Sequence, residues 1–158
     1  MSDTIHYQDA EGLKKLISPE LGAWSPAVKV TQDMINQFAD LSGDRMWLHV
    51  DVERCKTQSP FGGRTIAHGF LLLSMLSRFQ TLPDVSTIVT GYRHMMNYGS
   101  DKLRFLNPVV VDSEIRARSR IKDIEVANGK TKVTAETELA AVGSDKPALI
   151  YEMAFVFV

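Results

Sequence analysis

Gly69-Phe70-Leu71-Leu72-Leu73-Ser74-Met75-Leu76-Ser77-Arg78-Phe79-Gln80-Thr81-Leu82 is the stretch on which the fold turns. Its apolar residues cover nearly every face of a helix, with Ser74 and Ser77 as the small exceptions. A helix that is apolar almost all round is a buried one. Residues 69–82 are therefore expected as a central helix roughly 20 Å long at about 1.5 Å per residue, stopped by Pro83. Gly69 opens it, so a backbone N–H without a helical partner could face a ligand there.

Beyond Pro83 the chain reads as strands. Residues 86–89 are β-prone, and residues 92–106 carry Met95, Met96, Tyr98, Leu103 and Phe105 around Gly99, where a bulge is expected. From 113 to 126, Ile115, Ala117, Ser119 and Ile121 alternate with Arg116, Arg118, Arg120 and Lys122, before Ile124 and Val126 appear on the opposite parity. That phase change predicts a bulge near Asp123. Asn128-Gly129 is a two-residue hairpin turn, since both positions tolerate positive φ. Alternation over 132–141, a turn at Gly143-Ser144-Asp145, and the heavy face of Leu149, Tyr151, Met153, Phe155 and Phe157 complete an antiparallel meander. One buried helix before a long antiparallel sheet implies that the sheet wraps the helix, an α+β arrangement. Its open edges point to a homodimer or higher homo-oligomer.

Upstream, residues 8–22 are expected to hold a short helix, and residues 28–30 a short extended piece. Thr31 reads as the N-cap of a helix whose apolar side is Met34, Ile35, Phe38, Ala39 and Leu41, and Gly43 as its left-handed end. Just beyond lies Ser42-Gly43-Asp44-Arg45-Met46-Trp47-Leu48-His49-Val50-Asp51. If residues 44–49 were helical, Asp44 and His49 would lie roughly 140° apart at about 100° per residue, so a turn must bring them together. Asp51 reads as the cap of another short helix. Met46, Trp47 and Leu48 are expected to keep water from Asp44 and raise its carboxyl pKa. The pair then forms an acid and a base in a dry corner.

The chain has 158 residues, the size of one domain, and residues 1–158 are read as a single one. A net charge of −1 supplies no broad cationic field, so no nucleic acid partner is expected. The longest apolar run, residues 70–76, is too short to span a bilayer, and Met1-Ser2-Asp3-Thr4-Ile5-His6 lacks the pattern of a secretory signal. With Cys55 as the single thiol, no intrachain disulfide forms, and a cytoplasmic location fits best. His49, Asp51, His68 and His94 show no compact ligand spacing, so no metal is expected. Cys55 is read as inert packing, and His68 as a structural side chain fixing the loop before the central helix.

Gly43-Asp44, His49-Val50-Asp51, Phe61-Gly62-Gly63 and Ala67-His68-Gly69 together resemble the MaoC-like dehydratases, a hot-dog-fold group that includes the (R)-specific enoyl-CoA hydratases. The order and spacing match across residues 28–82. In that group an Asn-Pro usually follows the aspartate; here Met46-Trp47 stands instead, and the Trp47-Leu48-His49-Val50-Asp51 version is similar to the branch around nodulation protein N. The resemblance implies reversible hydration of trans-2-enoyl thioesters to (R)-3-hydroxyacyl thioesters. Asp44 and His49 would activate water, and the Gly69 amide would bind the thioester oxygen. Ser77, Met46, Trp47 and Phe61 are the expected substrate-binding residues. No cofactor is implied beyond coenzyme A carried by the substrate, and the partner is an acyl-CoA or acyl-carrier-protein thioester. Arg64, Arg78, Arg93, Lys102 and Arg104 are the cations that could meet coenzyme A phosphates.

Two alternatives stand beside this reading. A hot-dog acyl-CoA thioesterase commonly presents a carboxylate from the central helix, and residues 69–82 contain none. A non-catalytic acyl-thioester-binding protein is suggested by Met46-Trp47.

Overall fold

The computed structural model describes residues 4–82 and 85–158; Met1–Asp3 and the expected helix stop at Pro83 lie outside them. In chain order the elements are β1 (Ile5–His6), α1 (Ala10–Lys14), β2 (Val28–Lys29), α2 (Gln32–Ser42), α3 (Trp47–Val50), α4 (Val52–Gln58) and α5 (Gly69–Ser74), which runs into a 3-10 turn at Met75–Arg78. Then come α6 (Val85–Ile88), β3 (Val89–Thr90), β4 (Met95–Phe105), β5 (Glu114–Ala127), β6 (Lys130–Ala141) and β7 (Leu149–Phe157). β1 and β3 form a small parallel pair. The other strands make one antiparallel sheet in the order β2-β5-β6-β7-β4.

The local signals before the site hold. The Thr31 hydroxyl accepts from Met34 N at 3.3 Å, and α2 ends at Gly43 with φ +80° and its N–H on Ala39 O at 2.9 Å. A Cβ at Gly43 meets nothing within 4 Å, so the cost of a side chain there is conformational alone. Gly43→Ala is expected to lower stability by about 1 kcal/mol, read from urea denaturation midpoints. The register of β5 against β6 shifts between Ile121 and Asp123, where the parity change places a bulge. Asn128 and Gly129 take φ +51° and +73° in the hairpin turn.

Four expectations change. The first helix covers only Ala10–Lys14; beyond it, Ser18, Gly22 and Ser25 donate to Ile121 O, Ser119 O and Ala117 O, so residues 18–25 run along the edge of β5. Pro19 and Pro26, which cannot donate, and Gly22 suit an extended strap better than a helix. Residues 85–88 form a helical turn, and only Val89–Thr90 is strand, set by its pairing with β1. The meander is confined to β5, β6 and β7: β4 pairs with β7 rather than with its sequence neighbour β5.

The fourth change is in the central helix, which is shorter than expected and buried on one side only. Ser74 Oγ donates to Phe70 O at 2.7 Å, competing for a helical carbonyl where the chain tightens to 3-10 geometry. Leu71, Leu72, Met75 and Phe79 are buried against Val30, Ile35, Ile115, Leu139 and Leu149. Phe70, on the opposite side, is 61% exposed. A second apolar cluster, with Leu13, Ile121, Val133, Phe155 and Phe157, fills the far end of the sheet. Between the clusters, Thr81, Ser119 and Thr137 pass hydroxyl hydrogen bonds from one to the next.

Candidate active site

The site forms where three short segments meet at the start of α5. Residues 65–67 are laid against residues 109–111: Ala67 N donates to Val109 O at 2.8 Å and Val111 N to Thr65 O at 3.0 Å. On the other side of the same segment, Ile66 N donates to Leu48 O at 3.0 Å, and His49 Nδ1 lies 2.8 Å from Ile66 O. A carbonyl only accepts, so Nδ1 carries the proton and donates. The neutral imidazole therefore presents Nε2 as a free acceptor. Gln32, the first residue of α2, donates to His49 O at 2.8 Å and accepts from the Thr65 hydroxyl at 2.5 Å, tying α2, α3 and this segment together.

Asp44 and His49 do converge. A carboxylate oxygen of Asp44 and a ring nitrogen each of His49 and His68 lie within 4.8 Å of one another. Two hydrogen bonds of about 2.8 Å that meet at a tetrahedral water hold their partners roughly 4.6 Å apart. The 4.8 Å limit leaves carboxylate and imidazole close enough for one water to bridge them.

His49 is buried and His68 more so, with their rings stacked at 3.8 Å. Burial is the main cause that pulls the His49 pKa below the ordinary 6.5. The bond to Ile66 O and the Asp44 charge oppose it, while His68 adds to it. An unfolded chain therefore takes up this proton near 6.5, the folded one only at lower pH. Stability is lost as pH falls from 6.5 toward the folded value, whereas above 6.5 both states are neutral and His49 contributes no slope. Urea midpoints measured stepwise downward from neutral pH should show this acid loss, reduced in His49→Gln.

The dry setting expected around Asp44 is not found. Asp44 and Met46 are exposed, and the Trp47 ring is covered by Arg54, whose guanidinium carbon sits 4.3 Å from the ring centroid. The acid is wet and the base is dry. Asp44 caps its own bend, its carboxylate accepting from Met46 N at 3.3 Å.

A cavity of about 400 Å³ opens beside His49. Its walls are mainly apolar, with Phe70, Leu72, Phe105, Leu106 and Val109, and Gly69 contributes backbone. Among the described residues no acceptor takes the Gly69 N–H. A Cβ at Gly69 would lie 2.8 Å from two atoms of the Phe105 ring, so the glycine lets an aromatic wall stand against the helix start. Phe61 is half-buried in its turn, and Ser77 is exposed on the 3-10 turn. Neither lines the cavity, nor do Met46 and Trp47. Phe105 and Gln32, which shape the site, are not legible from the sequence because both act across long separations that no local motif marks.

His68 makes its side-chain hydrogen bond not within the loop before α5, as expected, but to the bend before α3: Nε2 lies 2.9 Å from Asp44 O. Cys55 is buried in α4, where burial pushes its thiol pKa up, as for an inert thiol. Asp51 caps α4 through Arg54 N and is committed there. Among the described residues, Asp44, His49 and His68 are the set that could offer three ligand atoms to a cation. Their two imidazoles stack face to face rather than splaying around one point, which suits a hydrogen-bonded base better than a tetrahedral metal set.

An antiparallel sheet packed on one helix, with an imidazole and a helix-start glycine lining an apolar cavity and a carboxylate close to that imidazole, defines a hot-dog-fold protein. The chain belongs to the MaoC-like dehydratase family: the MaoC-like domain model matches residues 23–143. It is 43% identical over 126 residues to 3-hydroxyacyl-thioester dehydratase Z of Mycobacterium tuberculosis, covering 79% of this chain and 80% of that one. It is 35% identical over 148 residues to nodulation protein N of Rhizobium meliloti, covering 92% and 88%. The fold is shared with the (R)-hydratase of A. caviae, at a TM-score of 0.64 and 24% identity, over 87% of this chain and 96% of that one. No helix among the described residues is long and apolar enough to cross a membrane.

Proposed function

We propose that this protein adds water reversibly across the double bond of trans-2-enoyl thioesters to give (R)-3-hydroxyacyl thioesters. The observation that carries the reading is the His49 imidazole, its Nδ1 proton held by Ile66 O and a ring nitrogen within 4.8 Å of an Asp44 carboxylate oxygen, beside an apolar cavity that Gly69 also lines. Water held between Asp44 and His49 attacks C3 as His49 takes one of its protons. The C2–C3 π pair moves onto the thioester oxygen, where the Gly69 amide meets the developing charge. The enolate collapses by taking that proton at C2 from the imidazolium. One water is consumed and both residues return to their starting state. The dehydratase name of the mycobacterial relative and the (R)-hydratase name of the structural neighbour support this direction of chemistry.

A dry His49 stays a base below pH 6.5, so the acid limb of kcat/KM is expected under that value. The test is hydration of a panel of enoyl-CoA and enoyl-carrier-protein thioesters, followed by loss of enoyl absorbance with chiral analysis of the product. (R)-alcohol supports the proposal. Thiol release from a saturated acyl-CoA would move the reading to a thioesterase, and binding without either reaction to an acyl carrier.

The reading includes a homodimer. β4 is an edge strand and its outward residues are wet: Met96 is 49% and Tyr98 69% exposed. Phe70 and Phe105, 5.4 Å apart, extend that apolar surface to the cavity. A second copy would cover both, and sedimentation equilibrium decides it. The buried single thiol suits a reducing compartment, and the cytoplasm is the proposed location.

A further inference from the structure

We propose that His68 is a positioning residue for the reaction, and that its Nε2–H sets the place of Asp44. This rests on the hydratase reading above. The bend carrying Asp44 is tied at its ends by near neighbours, Gly43 N to Ala39 O and His49 N to Met46 O, both at 2.9 Å, and Arg45 to Asp40. Gly43, immediately before, is in the left-handed region and brings no side chain, and the contacts within the bend are long: Asp44 N to Ser42 Oγ at 3.2 Å and Met46 N to Asp44 Oδ1 at 3.3 Å. The one hydrogen bond that reaches residues 43–46 from a distant segment, among the described residues, is His68 Nε2–H to Asp44 O at 2.9 Å, across 24 positions. His68 is 2% exposed, with the Phe38 ring 5.0 Å from its own and the His49 ring stacked at 3.8 Å. Its donor therefore reaches from a packed core to the backbone of the acid.

His68 Nδ1 is buried with no hydrogen-bond partner among the described residues. A buried acceptor without a donor costs stability, and leucine would avoid that cost. Asp44 is exposed as a residue, and water is expected to reach its carbonyl once the His68 ring is gone. A histidine that burdens the core at one nitrogen and restrains the acid with the other is placed for activity rather than for folding. Neighbouring His49 gains orientation from the same side chain, so the two reacting groups share one support.

Glutamine places an N–H near the reach of Nε2, whereas leucine has no donor and asparagine is too short. Against a short enoyl-CoA, His68→Leu is expected to lower kcat about tenfold or more with KM little changed and the thermal midpoint kept or raised, while His68→Gln stays within about threefold of wild type. If His68→Leu fails to fold, His68→Asn takes its place. Full kcat in the donor-less variant, or equal losses in Gln and Asn, overturns the proposal. In ¹H–¹⁵N spectra the amides of Asp44 and Met46 should shift in Leu and Asn but stay near wild type in Gln. A wild-type protein with no turnover on any enoyl thioester defeats the hydratase reading by itself. The His68 claim is then decided by those amides, and falls if Gln shifts them as far as Asn does.

Discussion

His49→Ala should lower kcat for enoyl-thioester hydration by about 10²–10⁴, the usual worth of a positioned general base, or roughly 3–5 kcal/mol in the barrier. His49 has its Nδ1 proton committed to Ile66 O, which leaves Nε2 as the acceptor proposed to take the water's proton. KM should move little, because the cavity wall is mainly apolar and the imidazole is a small part of it. Asp44→Asn keeps the size and hydrogen-bonding shape of the acid while removing its charge, and should act in the same direction. On the proposal that the two hold one water, the double variant should be scarcely slower than the worse single one. Stopped-flow loss of enoyl absorbance, with binding of a saturated acyl-CoA as the control for an intact pocket, measures all three. Additive losses would mean that the two residues act on different steps.

The second large effect is expected at a backbone atom. Gly69 is the first residue of α5, a position where proline fits a helix because the missing N–H has no helical use. His68, before it, has φ −61° and ψ 138°, the extended conformation that a following proline requires. Any Cβ at 69, however, strikes the Phe105 ring at 2.8 Å. The comparison is therefore made in a Phe105→Ala background, where room exists. There Gly69→Ala keeps the N–H and should keep most activity. Gly69→Pro deletes it and should lose about 10²–10³ in kcat, or about 2.7–4 kcal/mol, the worth of one oxyanion donor. Equal activity in the two variants would remove the amide from the mechanism. In the wild-type background Gly69→Ala should itself be impaired, and Phe105→Ala should relieve it.

Local chemistry in the chain was readable because it is decided within a few residues. Thr31 and Gly43 bracket α2, Asp51 caps α4, the parity change after Ile121 marks the bulge, and Asn128-Gly129 makes the hairpin. The pairing of Asp44 with His49 was also legible, since a turn between them is the only way five residues can face one water. The solvation of that pair was not. Apolar neighbours in sequence predicted a dry acid, yet Met46 points to solvent and Trp47 lies under Arg54, while the base is sealed by His68 and Ile66 from a segment 17 or more positions away. The central helix misled in the same way: composition says that Phe70 is apolar, not whether its own chain covers it.

Thus the sequence alone determined the caps, the turns, the sheet's alternation and the residues able to act as acid, base and amide donor, because each follows from short-range sterics and hydrogen bonding. Only the tertiary structure decided that β4 leaves its neighbour to edge the sheet beside β7, that Phe105 stands against Gly69, and that His68 reaches back to Asp44. Those contacts join residues 24 to 50 or more positions apart, where the chain's path through space, and no local propensity, fixes which groups meet.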